Sequence, residues 1–207
     1  MLRDKRVEVL DEPINYEEIF YPRDTNHLRE RLLIPKGNKI VVTVAQLSDP
    51  RKGGEYFYQI AEKLKDVKDL TFVYVGCDAP EPIKLSNLIA IPFVRSQDEL
   101  AEYYSLGDLF VITSLADTTA CTCLEALGCG TPIAGFAEAG TPYVAPEPLL
   151  KLTKTYDVSH LSRIVKETPI KEMSMSNLCI RYARNRYSRN VIFEKQLALY
   201  QSLIDKK

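Results

Sequence analysis

From Asn38 onward, short apolar runs rich in β-branched residues alternate with amphipathic segments, and no tight hairpin joins one run to the next. The runs cover residues 39–45, 70–75, 88–91 with a continuation to Val94, 109–113 and 131–136, with a weaker run at 149–152. This alternation predicts an α/β fold, a Rossmann-like parallel sheet with helices on both faces. Ligands of such sheets bind beyond the carboxyl ends of the strands, so a site is expected in the loops that follow the runs.

The chain of 207 residues is long enough for one domain with a sizeable core. We predict a lead-in segment over residues 1–37, a Rossmann-like domain over residues 38–190 and a C-terminal helix over residues 191–207. The last part repeats apolar residues at helical spacing, namely Phe193, Leu197, Tyr200 and Ile204.

The charge balance argues against a general polyanion binder. The formal net charge is −1, which gives no overall attraction to nucleic acid or to an acidic membrane, so any anion site must be local. No apolar run approaches the roughly 20 residues that span a bilayer. Residues 1–6 are charged where a signal peptide would be apolar, which leads us to expect a cytoplasmic location.

The five cysteines are an odd number spread along the chain, which is not the pattern of a disulfide framework. Cys121, Cys123 and Cys129 lie close together but lack the paired spacing of a structural zinc site, and no histidine is near them. We predict buried thiols and no metal site.

A basic turn follows the first run. The G-x-x-x-x-G-K-[ST] and G-x-G-x-x-G motifs are absent, which argues against ATPases and NAD enzymes. Arg51 and Lys52 instead lie just before a predicted helix, where arginine can grip two oxygens of a diphosphate and lysine supplies a point charge. By itself, this pattern also fits a solvated turn.

Two acids flank the start of a helix predicted after the fourth run. Asp117 lies in the loop, and Glu125 follows eight residues later inside the helix. Backbone N–H groups near Thr119 and Ala120 offer an anion site, and a carboxylate two turns into the helix can accept both hydroxyls of a ribose. The spacing alone favours the simpler interpretation, in which Asp117 caps the helix and Glu125 is an exposed acid.

These segments together resemble the family 4 (group 1) glycosyltransferases. Asp117-x7-Glu125, followed by Ala-Leu-Gly-Cys-Gly-Thr-Pro, resembles the acid-x7-acid motif of that family. Arg51-Lys52-Gly53 resembles its phosphate loop, residues 93–111 resemble the stretch that passes the nucleotide base, and residues 7–24 resemble its interdomain crossover. The similarity spans nearly the whole chain in the right order.

Two residues depart from the usual family pattern. Gln46 stands where the family often has an arginine after the first strand, and the first acid is Asp117 instead of a glutamate. Both features are similar to a capsule and exopolysaccharide subgroup, although Thr118 and Cys121 replace polar asparagines of that pattern.

The resemblance implies the C-terminal, nucleotide-sugar-binding half of a GT-B fold. It implies transfer of a sugar from a nucleoside diphosphate, UDP or GDP, to an acceptor hydroxyl with retention and with no other cofactor. Lys52 and Arg51 would stabilise the diphosphate without a metal ion, aided by the helix start. The resemblance assigns the other contacts as follows: Glu125 holds the ribose, Asp117 holds the sugar, Phe93 and Val94 flank the base, and Gln46, Gly53, Thr118, Thr119 and Ala120 line the donor.

Family members also have an N-terminal half that binds the acceptor, and this chain has room for one half alone. We therefore expect an excised domain or a partner chain, weak activity in isolation, and any membrane association through the other half. A non-catalytic nucleotide-sugar-binding subunit is the main alternative. A GT-B epimerase would need its own acid–base groups, and a receiver or flavodoxin-like domain would need an acidic cluster or flavin loop in place of the basic turn.

Overall fold

The computed structural model describes residues 7–78 and 84–205. Six strands form one sheet: β1 (Lys39–Val44), β2 (Leu70–Val75), β3 (Leu88–Ile91), β4 (Leu109–Ile112), β5 (Ile133–Phe136) and β6 (Leu150–Thr153). Seven α-helices accompany them: α1 (Asn26–Arg31), α2 (Gly54–Lys63), α3 (Gln97–Leu106), α4 (Cys121–Gly128), α5 (Val158–Glu167), α6 (Met173–Tyr187) and α7 (Arg189–Ile204). Every strand pair among these is parallel, and the strand order is β3-β2-β1-β4-β5-β6.

Alternate side chains of the central strands enter different core clusters, because successive residues of a strand point to opposite faces. On β4, Leu109 and Val111 pack with α2 and α5, whereas Phe110 and Ile112 pack with α3, α4 and α6. The central strands are therefore buried on both sides, which is why they read as continuous apolar runs. The predicted Rossmann-like α/β fold with helices on both faces is confirmed.

The third strand is shorter than the sequence suggested. We expected it to continue to Val94, but it ends at Ile91. Pro92 follows and has no N–H to donate to the neighbouring strand, which explains the end of the pairing. The correction matters for the site, because Phe93 and Val94 then belong to a loop at the carboxyl edge of the sheet.

The segment that precedes β1 contributes to the core. The Tyr16 side chain is fully buried, and its hydroxyl donates to the carbonyl of Leu124 in α4 at 3.1 Å. A Cβ on Gly128 would lie 2.3 Å from the Tyr16 ring, so only glycine fits at that end of α4. Ile14 forms a bridge to Ser188 between α6 and α7. The boundary predicted at residue 37 remains a prediction.

A buried lysine joins β1 to the end of α5. Lys39 Nζ donates to the carbonyl oxygens of Val165 at 2.5 Å, Lys166 at 3.2 Å and Thr168 at 2.6 Å. These carbonyls have no partner further along the helix, and a cation is favourable at this negative end of the helix dipole. Burial lowers the pKa of Lys39, which is the cost of placing an amine there.

Replacing Lys39 by methionine should lower the free energy of unfolding by about 1–3 kcal/mol, because buried carbonyls at the end of α5 lose a charged donor. Urea denaturation of the purified chain measures this change. Lys68→Met, at an exposed position before β2, is the matched control and should change stability by less than about 0.5 kcal/mol. Equal effects of the two substitutions would contradict the assigned role of Lys39.

Candidate nucleotide-sugar site

The basic turn after β1 packs against the loop after β4. Gly53 has a φ of +61°, and a Cβ at this position would lie 2.1 Å from the carbonyl oxygen of Thr113. The Thr113 hydroxyl donates to the carbonyl of Gly53 at 2.9 Å, and the Leu115 amide donates to the carbonyl of Arg51 at 2.7 Å. Glycine is needed here both for its backbone conformation and for this close approach. Gly53 therefore has a structural role in the packing of this turn, and its predicted contact with a donor remains a prediction.

The two cations of the turn face different partners. Arg51 forms a two-pronged pair with Asp49, with Nε–Oδ1 at 3.0 Å and Nη2–Oδ2 at 2.8 Å, and 73% of its side chain is exposed. Asp49 also caps the short 3₁₀ helix Pro50–Lys52 by accepting from the Arg51 amide. The structure therefore directs Arg51 to its own turn, while Lys52 points across the sheet edge.

Lys52 and Asp117 form an ion pair between the loops after β1 and β4. Lys52 Nζ lies 2.9 Å from Asp117 Oδ1 and 3.1 Å from Oδ2, and the two side chains are 34% and 18% exposed. The backbone of Asp117 is held in turn, since its carbonyl accepts from the Gly140 amide at 2.8 Å. Two residues predicted for different parts of a donor, the diphosphate and the sugar, are thus direct neighbours.

A cleft of about 230 Å³ opens at the carboxyl ends of β1, β2 and β4. Four of the predicted site residues line it: Gln46, Lys52, Phe93 and Val94. Gly76 and Ser114 line it as well, in the loops after strand ends where a site was expected, whereas Thr122 lies inside α4 and was not predicted. This edge lies where the strand order reverses between β1 and β4, the point at which open α/β sheets bind ligands.

Gln46 belongs to a polar group at the rim of this cleft. Its side-chain amide donates to Asp78 Oδ2 at 3.1 Å, and both the hydroxyl and the amide of Ser48 donate to the same carboxylate. Hydrogen bonds from Ser48 hold the pKa of Asp78 below its usual value. Asp78 lies three residues after the end of β2, so its place in the loop after a strand is the signal that would have suggested it.

The start of α4 separates this cleft from a second cavity. Ala120 is the N-cap residue of α4, and its own side chain forms no capping hydrogen bond. Thr118 and Thr119 line a neighbouring cavity of about 360 Å³ together with Gly140 and Tyr143. Six of the predicted residues therefore line one of these two cavities, four in the first and two in the second. The others line neither of them: Arg51, Gly53, Asp117, Ala120 and Glu125.

Glu125 lies inside α4 and faces the core more than solvent. The Tyr104 hydroxyl donates to Glu125 Oε2 at 2.6 Å, and no other described side chain donates to this carboxylate. Burial raises the pKa of Glu125 to about 7, against the hydrogen bond from Tyr104, which lowers it. Tyr104 was missed because its meeting with Glu125 depends on how α3 packs on α4. A desolvated carboxyl of this kind is typical of functional sites.

The cysteine prediction can be compared with side-chain burial. Cys123, Cys129 and Cys179 are buried, Cys77 and Cys121 are half-buried, and all five thiols are free. Burial raises the pKa of Cys121. Within residues 7–78 and 84–205, no group of three or more His, Cys, Asp and Glu side chains is arranged to hold a metal ion. In the same part of the chain, no helix has the length and apolarity needed to cross a bilayer.

The sequence family can be assigned. The family model described as "Glycosyl transferases group 1" matches residues 38–161, more than half of the chain, and the chain belongs to this family. It is 25% identical over 135 residues to the N-acetyl-alpha-D-glucosaminyl L-malate synthase of Bacillus anthracis, covering 62% of this chain and 35% of that protein. It is 32% identical over 109 residues to the alpha-galactosylglucosyldiacylglycerol synthase of Streptococcus pneumoniae, covering 46% and 28%.

Solved structures share the fold. The sucrose-phosphate synthase of Thermosynechococcus elongatus superposes with a TM-score of 0.77 at 20% identity, over 97% of this chain and 53% of that one. Anabaena HepE in complex with UDP-glucose superposes with a TM-score of 0.74 at 16% identity, over 94% and 57%. The chain spans about a third of the curated relatives above and just over half of these solved chains. The predicted match to one half of a GT-B glycosyltransferase fold is confirmed.

The raised pKa of Glu125 makes stability depend on pH. The folded state holds the proton of the Glu125 carboxyl more tightly than the unfolded chain does. The resulting contribution to the free energy of unfolding is full below about pH 4.5 and is lost as the pH rises through about 7. Glu125→Gln keeps an acceptor for Tyr104 and removes the titration. Between pH 5 and pH 8, the free energy of unfolding of the variant, measured with urea, should rise by about 1–3 kcal/mol relative to that of the parent. Parallel pH profiles of the two proteins would show that Glu125 is not desolvated.

Proposed function

We propose that this chain is the nucleotide-sugar-binding half of a retaining, hexosyltransferase-like glycosyltransferase. The observation that carries the proposal is the cleft at the β1–β4 switch point. Lys52, Gln46, Phe93 and Val94 line it, and Asp117 is in direct contact with Lys52. The apolar loop suits the base of the donor, the lysine suits its diphosphate, and the carboxylate suits the hydroxyls of its sugar.

The reaction needs stabilisation of negative charge that grows on the diphosphate as the sugar leaves. Lys52 supplies a positive charge, and the amides at the start of α4 supply the positive end of a helix dipole. Arg51 can join them by leaving Asp49, because the exchange of an exposed ion pair costs little free energy. This arrangement handles the leaving group without a metal ion, with Asp117 on the sugar hydroxyls and Glu125 on the ribose.

The similar proteins support a donor of the nucleoside diphosphate sugar class. Anabaena HepE was solved with UDP-glucose and with UDP, which favours UDP over GDP for this chain. Two of the similar proteins are named as synthases of a glucosaminyl malate and of a glycosylated diacylglycerol, which supports a role in glycoconjugate synthesis. The similarity of Gln46 and Asp117 to the capsule and exopolysaccharide subgroup supports polysaccharide synthesis as the other possibility. We place the reaction in the cytoplasm, where nucleotide sugars are the donors.

The acceptor is proposed to bind on a further half, either a domain of the same protein or a partner chain. The cleft of about 230 Å³ is smaller than the roughly 300–1,000 Å³ of typical small-molecule sites, which fits a site that another surface completes. The isolated chain should therefore bind the donor and transfer little. Any peripheral membrane association is assigned to the other half.

A non-catalytic nucleotide-sugar-binding subunit is the second candidate. It would need every donor contact described above and differs by having no acceptor-binding partner. An exposed apolar face on α7 is a surface that an acceptor-binding half can cover, which favours the enzyme over the binding subunit; it consists of Phe193, Leu197, Tyr200 and Ile204. Transfer that appears when the partner half is supplied separates an enzyme from a binding subunit.

Calorimetry of the purified chain with UDP, GDP, ADP and their sugar conjugates tests donor binding. One nucleotide series should bind saturably, and Lys52→Ala should weaken it about 10- to 100-fold, because a charged hydrogen-bond donor is lost. Glu125→Ala should also weaken the binding of these nucleotides, because each carries a ribose whose hydroxyls Glu125 is proposed to hold. Lys68→Ala and Glu194→Ala, at exposed positions, are the matched controls and should leave affinity unchanged. Equal affinity in Lys52→Ala would refute the assigned diphosphate contact.

A further inference from the structure

The pairing of Lys52 with Asp117 is unusual for two residues that should both bind a ligand. Lys52 Nζ lies within 3.1 Å of both carboxylate oxygens of Asp117. The positive charge of Lys52 is therefore already compensated by a carboxylate of the protein itself. A diphosphate that enters the cleft has to compete with an internal anion for the same amino group.

This pair differs from the one that Arg51 makes in the same turn. Arg51 and Asp49 are two residues apart, and the guanidinium is mostly exposed. Lys52 and Asp117 are 65 residues apart and connect the loops on the two sides of the switch point, and both side chains are less exposed. Solvent and salt screen such a pair less, so its exchange for a ligand has a larger effect on affinity.

We propose that Asp117 is an internal competitor for Lys52 that makes the site select a nucleoside diphosphate sugar over the free nucleoside diphosphate. The proposal rests on the proposed function. A nucleoside diphosphate that takes Lys52 leaves the Asp117 carboxylate beside a polyanion with its charged partner lost. A donor sugar brings hydroxyl groups that donate to this carboxylate. Only the complete donor therefore compensates both members of the pair.

The same competition acts on the product. Transfer of the sugar removes the hydroxyls that compensate Asp117, and the carboxylate again competes with the diphosphate for Lys52. Asp117 then shortens the residence of the nucleoside diphosphate. One ion pair thus favours the binding of the donor and the release of the leaving group.

A double-mutant cycle tests this assignment by calorimetry on four proteins: the parent, Lys52→Met, Asp117→Asn and the double variant. The probes are UDP, GDP and ADP, each with its glucose conjugate. In Asp117→Asn the free nucleoside diphosphate should bind about fivefold more tightly, since the competing anion is gone. The affinity ratio of conjugate to nucleotide should fall about tenfold or more. In the Lys52→Met background the gain should vanish. Asp66→Asn, which removes the same charge at the opposite edge of the sheet, should change neither affinity.

The other outcomes identify which idea fails. If Asp117→Asn tightens nucleotide binding equally with and without Lys52, the effect is repulsion through space and the internal competitor is refuted, while donor binding stands. If Asp117→Asn leaves or lowers nucleotide affinity, the competitor is likewise refuted. If none of the four proteins binds any nucleotide or conjugate, both the competitor and the proposed donor site are refuted.

Discussion

The pairing of β1 with β4 is the contact on which the site depends. Val41 pairs with Leu109 and Val42 with Phe110, so two strands that are distant in the sequence lie side by side at the centre of the sheet. The chain leaves β1 towards α2 on one face and leaves β4 towards α4 on the other. The two loops pack against each other where they leave the sheet, and the cleft opens beside this contact. Lys52 and Asp117 form an ion pair because their loops follow these two neighbouring strands.

The fold followed from the sequence more completely than the site did. Apolar β-branched runs and helical spacing depend on local residue order, and they located all six strands to within a few residues. The basic turn and the first acid lie in the loops after β1 and β4, as the local residue order predicted, and their role in binding remains a prediction. Side-chain direction depends on partners far along the chain. Arg51 turns to Asp49, and Glu125 meets Tyr104, because of local capping and helix packing that motif spacing does not encode.

The candidate site balances its own charges, which suits a chain with almost no net charge. Asp117 compensates the charge of Lys52, and Asp49 compensates that of Arg51. Burial raises the pKa of the Glu125 carboxyl and so reduces its ionisation. Each arrangement keeps a charged or chargeable group at the sheet edge at a tolerable cost in stability.

The burial of Tyr16 has a consequence for biosynthesis. Its hydroxyl binds a carbonyl 108 residues later, and its own carbonyl accepts from Arg184, 168 residues later. A ribosome releases residue 16 long before α4 and α6 exist. The segment around Tyr16 therefore has no packing partners, and its aromatic side chains stay exposed, until α4 and α6 have been synthesised. Completion of this domain is tied to its last helices, so a nascent chain that stalls before α6 presents an unfinished apolar surface to chaperones.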